Sequence, residues 1–174
     1  MSSTGRAQDP TLPKLDTRLF RDTLAQFATG VTIICARAPD GSYVGFTANS
    51  FNSVSLDPPL ILWSLARRST NLATFEAADR YAVNVLSRGH SELARRFSRA
   101  HSDRFSGVPF RLGWSEAPLI EGCIAWLECR QHARHRAGDH VIFVGEVVSA
   151  ERSHGTGLVF HHGRFATTTP LGGE

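Results

Sequence analysis

Apolar residues recur along this chain with two periods, and each period marks a kind of element. Behind Asp16, a residue suited to capping a first turn, Thr17, Leu19, Phe20, Leu24 and Phe27 fall at helical spacing. A first helix is predicted, ending at Gly30. The next stretch, VTIICARA, then Pro39-Asp40-Gly41-Ser42, then YVGFTANSF, is two β-rich runs around turn residues. It predicts a hairpin. SVSL and LILWSL follow, separated by Asp57-Pro58-Pro59, and read as two more strands because paired prolines cannot sit inside a central ladder. Asn71 to Ala78 is a short helix, RYAVNVL a strand, and HSELARRFSR an amphipathic helix with Leu93, Ala94 and Phe97 inward.

From His101 to Glu116 no period holds, and the segment reads as irregular. Then CIAWLECRQHARH alternates apolar and polar residues, Gly138-Asp139 turns the chain, and HVIFVGEVVSAE returns as a long antiparallel partner. A last short strand is predicted over Leu158 to His161. About seven strands joined mostly by short turns, with two or three helices at the periphery, predict a mainly β fold. Its architecture is an antiparallel barrel or sandwich, since parallel neighbours would need crossover connections that the pattern lacks.

Composition narrows the classes. With 174 residues, 41% hydrophobic and 20% charged, the chain can bury about two-thirds of its unfolded surface in one domain without disulfides or a structural metal. Residues 1–14 read as a flexible arm, 15–168 as the domain and 169–174 as a tail. The longest apolar runs, Leu60 to Trp63 and Val141 to Val144, fall far short of the roughly 18 residues that cross a bilayer. The first residues lack the apolar core of a secretory signal, and three cysteines, Cys35, Cys123 and Cys129, make no even disulfide framework, so a reducing cytoplasm is expected. Net charge is only +3, carried by 18 Arg and one Lys intermixed with acids. Scattered arginines do not make a nucleic-acid surface, although their planar forks suit phosphate groups.

Searching for chemistry yields several exclusions. No G-x-G-x-x-G, P-loop, H-E-x-x-H or G-x-S-x-G string occurs, which argues against a Rossmann-type dinucleotide enzyme. Cys129, His132 and His135 would share a face on a helix, but here they fall on a strand and its turn, and no metal site is expected. Cys123 and Cys129, six residues apart, read as two small core residues on one strand face. His161-His162 reads as a strand end.

Two stretches resist a purely structural reading. Gly45 to Ser55 crowds small hydroxyl and amide side chains into positions where strands prefer Val, Ile and aromatics. Such groups would line a cleft for a heteroaromatic ring with several acceptors. Trp63 to Asn71 is a strand running into a helix start, where backbone N–H groups, the Ser69 and Thr70 hydroxyls, and Arg67 or Arg68 suit a phosphate.

In order along the chain, GVTIICA, GFTANSFNSVSLDPPLILWSL, RRSTN, the Gly138-Asp139-His140 turn before VIFVGEV, and LVFHHGRF resemble the flavin reductase-like family, the short-chain NAD(P)H:flavin oxidoreductases that serve two-component flavin monooxygenases. The resemblance spans roughly residues 16 to 168. It implies an FMN-binding split barrel of Greek-key topology that pairs into a homodimer with a flavin near each interface. It further implies that Thr47, Ala48, Asn49 and Ser50 contact the isoalloxazine and ribityl chain, that Ser64 and Leu65 help hold the ring, and that Arg67, Ser69, Thr70 and Asn71 surround the phosphate, with Ser53 on the same side. Relatives carry a lysine near Arg67-Arg68, which leaves open which arginine takes the phosphate. His140 and Phe165 would lie by the face where nicotinamide stacks, His140 orienting it, while Asp139 forms the turn.

The activity implied is hydride transfer from nicotinamide C4 of NADH or NADPH to flavin N5 of FMN or FAD, with the reduced flavin released to a partner monooxygenase. The cofactor carries the difficult electronic step, which accounts for the lack of a conspicuous acid/base pair. Two alternatives share the fold: tightly held FMN that reduces a ferric chelate or a corrinoid, and a non-catalytic flavin- or haem-binding module. Trp63 and Trp126 read as core or interface aromatics. Of Phe46 and Phe51, alternation puts one inward and one at the cleft mouth.

Overall fold

The computed structural model describes residues 13–99 and 103–171. Most of the arm expected over 1–14, the first two residues of the irregular segment and the end of the tail lie outside them. In chain order the elements are helix α1 (Thr17–Leu24), strands β1 (Thr29–Gly30), β2 (Thr32–Arg37), β3 (Tyr43–Ala48), β4 (Asn52–Leu56) and β5 (Pro59–Ala66), helix α2 (Leu72–Ala77), β6 (Arg80–Val85), α3 (Ser91–Ser98), β7 (Phe110–Leu112), β8 (Pro118–Ile120), β9 (Ala125–Ala137), β10 (His140–Arg152), β11 (Leu158–His161) and β12 (Arg164–Thr167).

Seven strands form one antiparallel sheet in the order β3-β2-β6-β9-β10-β5-β4. Its two edge strands are consecutive in sequence, joined by residues 49–51 alone. Laid flat, six inter-strand spacings of about 4.8 Å would put those edges about 29 Å apart. The link from Ala48 to Asn52 has four Cα steps and reaches at most about 14 Å. The sheet therefore has to curl until its edges meet, which makes it a barrel. Ser50 holds the seam: its hydroxyl accepts from the Ser64 amide at 3.0 Å and donates to the Ser64 carbonyl at 3.3 Å. The predicted hairpin is the β2–β3 pair, while the stretch Gly45 to Ser55 holds the two opposite edges of the sheet. It was the hydroxyls and amide, poor β formers, that marked it.

Two apolar clusters divide the core. One fills the barrel with Ile34, Trp63, Tyr81, Phe143 and their neighbours, plugged by Phe75 of α2. Here Trp63 stacks on Phe143 at 4.2 Å between ring centroids. The other, around Ile33, Leu86, Phe97, Leu119 and Leu158, lies between the barrel wall and its cover of α3, β8 and β11. Strand β2 sends Ile33 and Cys35 to the second cluster and Ile34 and Ala36 to the first. Burial on both faces is why its sequence is continuously apolar rather than alternating.

The same arrangement corrects the cysteine reading. Cys123 precedes β9 and joins the outer cluster, whereas Cys129 faces the barrel interior, so the two share no strand face, although both are buried. Trp126 packs on the outer cluster and donates its indole N–H to the Ile120 carbonyl at 2.8 Å. Phe46 and Phe51 both pack on the barrel cluster, because the intervening link is not a strand and alternation fails across it.

Pattern reading missed short elements. β1, β7, β8 and β12 are two to four residues long, too brief for a period to declare itself. Helix α1 also differs from expectation. It stops at Leu24, well before Gly30, and none of its residues is buried. Asp16 does cap it, accepting from the Leu19 amide at 2.8 Å. Its apolar face meets no core: Leu19 is 61% exposed and Phe27, just beyond, 76%.

Candidate functional site

Three segments converge on one end of the barrel seam. The first is the end of β3 with its link, Thr47 to Ser50. Gly45 lets α3 approach it, since a Cβ there would meet Phe97 Cε1 at 2.8 Å and Phe105 Cζ at 3.1 Å. Thr47 then donates its hydroxyl to the Ala94 carbonyl at 2.7 Å. The second segment is the end of β5 and its descent into α2, where Ser69 Oγ accepts from the Asn71 amide at 3.3 Å and Asn71 Nδ2 reaches the Gly45 carbonyl at 3.4 Å. Asn71 itself is the N-cap of α2 and makes no side-chain cap bond. The third is the β9–β10 turn. Gly138, with φ at 61°, sits first in a two-residue loop, as a type II′ turn requires.

Between them lies a hollow of about 570 Å³. Thr47, Ala48, Asn49 and Ser50 line it together with Ser64, Leu65, Ser69, Thr70, Asn71 and His140. Most of the residues singled out from sequence therefore share one cavity. Three do not line it. Ser53 lies exposed on edge strand β4, opposite Ile61. Arg67 lines only a neighbouring hollow, while Arg68 lines both. Phe165 sits in an adjoining hollow of about 270 Å³ with Val31, Arg95 and Phe160, joined to the first through Thr47, Asn49 and Ser98. Expected beside His140, it is held away because β12 pairs with β11 and not with the barrel.

Sequence reading also missed residues that line the cavity. Phe46, Phe97, Ser98, Arg99 and Arg104 all do so. Arg104 comes from the segment without periodicity; its Nη1 donates to the Gly45 carbonyl at 2.7 Å and its Nε to the Arg99 carbonyl at 3.0 Å. No local signal could have placed it at the cavity, because the Gly45 carbonyl that holds it there is 59 residues distant in sequence.

The electrostatics are one-sided. Among the described residues, Arg68, Arg99 and Arg104 border the hollow and no carboxylate does. Partial burial lowers the Arg104 pKa from its ordinary value, yet a guanidinium stays charged at neutral pH. His140 Nδ1 lies 2.7 Å from Asp139 Oδ1, and this bond, with the nearby Arg68, holds the Asp139 carboxyl below the usual range. Fixing Nδ1–H on a carboxylate leaves Nε2 as the atom free to meet a ligand. Such a site, with a hydroxyl and amide wall, an aromatic edge and a ring of guanidinium groups, can orient a planar polar-edged ring that carries a phosphate.

Known proteins resemble this chain over most of its length. The family described as Flavin reductase like domain matches residues 24–169. A Rhizobium meliloti protein described as "Probable flavin reductase" is 44% identical over 152 residues, which is 87% of this chain and 49% of that protein. An Agrobacterium fabrum "FMN reductase (NADH) SmoA" is 43% identical over 150 residues, 86% of this chain and 85% of the relative. The chain thus spans about half the length of the first and most of the second. Among solved structures, the NADH:FAD oxidoreductase SgcE6 of Streptomyces globisporus C-1027, in complex with NAD and FAD fragments, superposes with a TM-score of 0.84 at 38% identity, covering 91% of this chain and 98% of that one.

Proposed function

This chain belongs to the flavin reductase-like family, and on that premise we propose that it is an NAD(P)H:flavin oxidoreductase that reduces FMN or FAD and releases the product to a partner monooxygenase. The observation that carries the reading is the single hollow shared by the Thr47–Ser50 wall, the Ser69 neighbourhood and His140, ringed by three arginines. Had those segments faced different sides of the barrel, the reading would have no site.

The residues present fit a flavin. Residues 49–51 belong to no strand, so their amides stand outside the ladders and can meet the polar edge of a tricyclic ring. Thr47, Ala48 and Asn49 would border the ring, Ser64 and Leu65 its far side, and Arg68, Ser69 and Thr70 the phosphate. Ser50 contributes through the seam it closes, its hydroxyl being engaged with Ser64. Asn71 acts at one remove, bracing β3 through the Gly45 carbonyl.

When bound, the flavin supplies the two-electron acceptor for hydride from the nicotinamide. The protein's own share is geometric and electrostatic. The walls would hold two rings at contact distance, which removes the entropy of bringing them together. Arg68, Arg99 and Arg104 favour added negative charge, an arrangement already in place before reaction. His140, oriented by Asp139, would present Nε2 to the nicotinamide.

The domain is proposed to span 15–168 and to act as a homodimer, which gives the exposed faces of α1, Phe27, Val54 and Leu56 something to cover them. Three free, buried cysteines are in keeping with a reducing cytoplasm. For flavin handled as a substrate, a micromolar dissociation constant, about −8 kcal/mol, is expected. The test is the absorbance of reduced nicotinamide with and without added FMN or FAD. Oxidation that depends on added flavin supports the reading; no oxidation with either nicotinamide and any flavin ends it.

A further inference from the structure

The charged side chains are unevenly placed over the molecule. Four hollows adjoin at the end of the barrel seam. The main one shares Arg68 and His140 with a neighbour of about 550 Å³, Thr47 and Asn49 with the hollow beside Phe165, and Arg99 with one of about 180 Å³ on α3. Arg68, Arg99 and Arg104 border the main hollow, Arg67 and Arg136 its neighbour, and Arg95 and Arg96 the one on α3. The carboxylates of this rim are Glu76, Glu92 and Asp139. Asp103 belongs with them, since its carbonyl accepts from Arg96 at 3.1 Å.

Seven arginines against four carboxylates leave a net +3 around the opening. The chain has 19 Arg and Lys and 16 Asp and Glu, so twelve of each remain for the rest of it, which is on balance neutral. All of the net charge therefore surrounds one opening. Pairing does not cancel it locally. Elsewhere Arg37, Arg111 and Arg130 each meet a carboxylate, at 3.0, 2.6 and 2.8 Å. At the rim, among the described residues, only Arg95 does so, with Glu92 at 3.4 Å, while Asp139 bonds to His140. The carbonyl end of α3 adds about half a negative charge, too little to change the sign. A cleft bordered by one sign of charge between low-dielectric walls focuses its field toward the solvent.

We propose that this arginine rim steers phosphorylated flavins into the main hollow, and that Arg95 acts on their rate of arrival without touching the bound flavin. The inference rests on reading the main hollow as the flavin site. Arg95 borders the hollow on α3 and the one beside Phe165, over whose ring its guanidinium lies at 5.0 Å, but not the main one. It supplies charge at the opening and no contact inside. A steered ligand arrives faster at low salt, whereas its departure depends on the contacts it must break. FMN, with close to two negative charges on its phosphate, feels the field; riboflavin, which lacks the phosphate, does not.

Binding of FMN and of riboflavin is followed by stopped-flow quenching of flavin fluorescence in wild type, Arg95→Glu and Arg95→Lys. From about 20 mM to about 0.5 M salt the Debye length shrinks from about 20 Å to about 4 Å. Over that range the association rate constant of FMN with wild type should fall about tenfold, and that of riboflavin should stay within about twofold. At low salt Arg95→Glu should slow FMN association about fourfold and keep dissociation within about twofold, and at high salt the difference should vanish. Arg95→Lys, which keeps the charge, should match wild type. FMN association that ignores salt overturns the proposal, as does an Arg95→Glu effect that sits in the dissociation rate or survives at high salt. Arg95→Lys behaving like Arg95→Glu overturns it too, because a lost contact and not a lost charge would be the cause. Should Arg95→Glu fail to fold, Arg95→Gln repeats the comparison with an expected slowing of about twofold. Wild type that binds neither flavin removes the reading of the main hollow itself, whereas flavin that binds without steering leaves that reading standing.

Discussion

Gly145 of β10 and Tyr81 of β6 show how much a single position can decide. Any Cβ at 145 would overlap the Tyr81 hydroxyl and approach its Cζ to 2.7 Å, and Tyr81 is fully buried and cannot swing away. Gly145→Ala is expected to lower stability by about 1–3 kcal/mol, read as an earlier denaturant midpoint. At the site, Arg68→Ala should raise the KM for FMN about tenfold while leaving turnover within a small factor, because the guanidinium is assigned to the phosphate and not to the reacting ring. His140→Ala tests orientation: a raised KM for NADH with turnover largely kept supports it. Turnover that collapses at unchanged KM would refute it.

At the scale of elements, one buried amide joins three strands of the barrel and its cover. Asn84 of β6 donates to the Ile33 and Pro118 carbonyls at 3.1 Å each and accepts from the Ile120 amide at 2.7 Å, tying β6, β2 and β8 together. Asn84→Ala would strand three buried backbone groups, and a loss of at least about 3 kcal/mol in chemical unfolding is expected. The β-rich run RYAVNVL marked β6 as a strand but gave no hint of that hub. Legibility followed element length: β9 and β10, thirteen residues each, were plain in the pattern. β7 and β8, three residues each, were invisible because so short a strand shows no period. Helix α1 was legible as a helix, while the fate of its apolar face was not.

For the whole molecule, burial of the thiols couples stability to alkaline pH. Cys123 and Cys129 are pushed up to about 12, and Cys35 is also raised, by loss of contact with water. In the unfolded chain these thiols ionise near pH 8.5. The raised folded values mean that their contribution is intact below that pH and is lost as pH climbs toward 12. Stability should therefore fall across this window. In native protein a thiol reagent should find almost no reactive cysteine, and all three after unfolding. The proposed dimer makes a separate prediction: charged substitution at Leu19 and Phe27 should halve the solution mass with secondary structure intact, because neither side chain supports the core.

The sequence by itself determined the long antiparallel strands, the turns that join them, the residue types gathered near the seam and the family they resemble, since each of these is written in neighbours along the chain. Only tertiary structure decided that residues 49–51 join the two edges of one sheet, that Arg99 and Arg104 reach the cavity, that Arg68 rather than Arg67 borders it, and that Ser53 and Phe165 do not. The reason is physical. Periodicity records which face of an element meets apolar surroundings, while the curl of a sheet brings together residues far apart in sequence, and no local pattern encodes that closure.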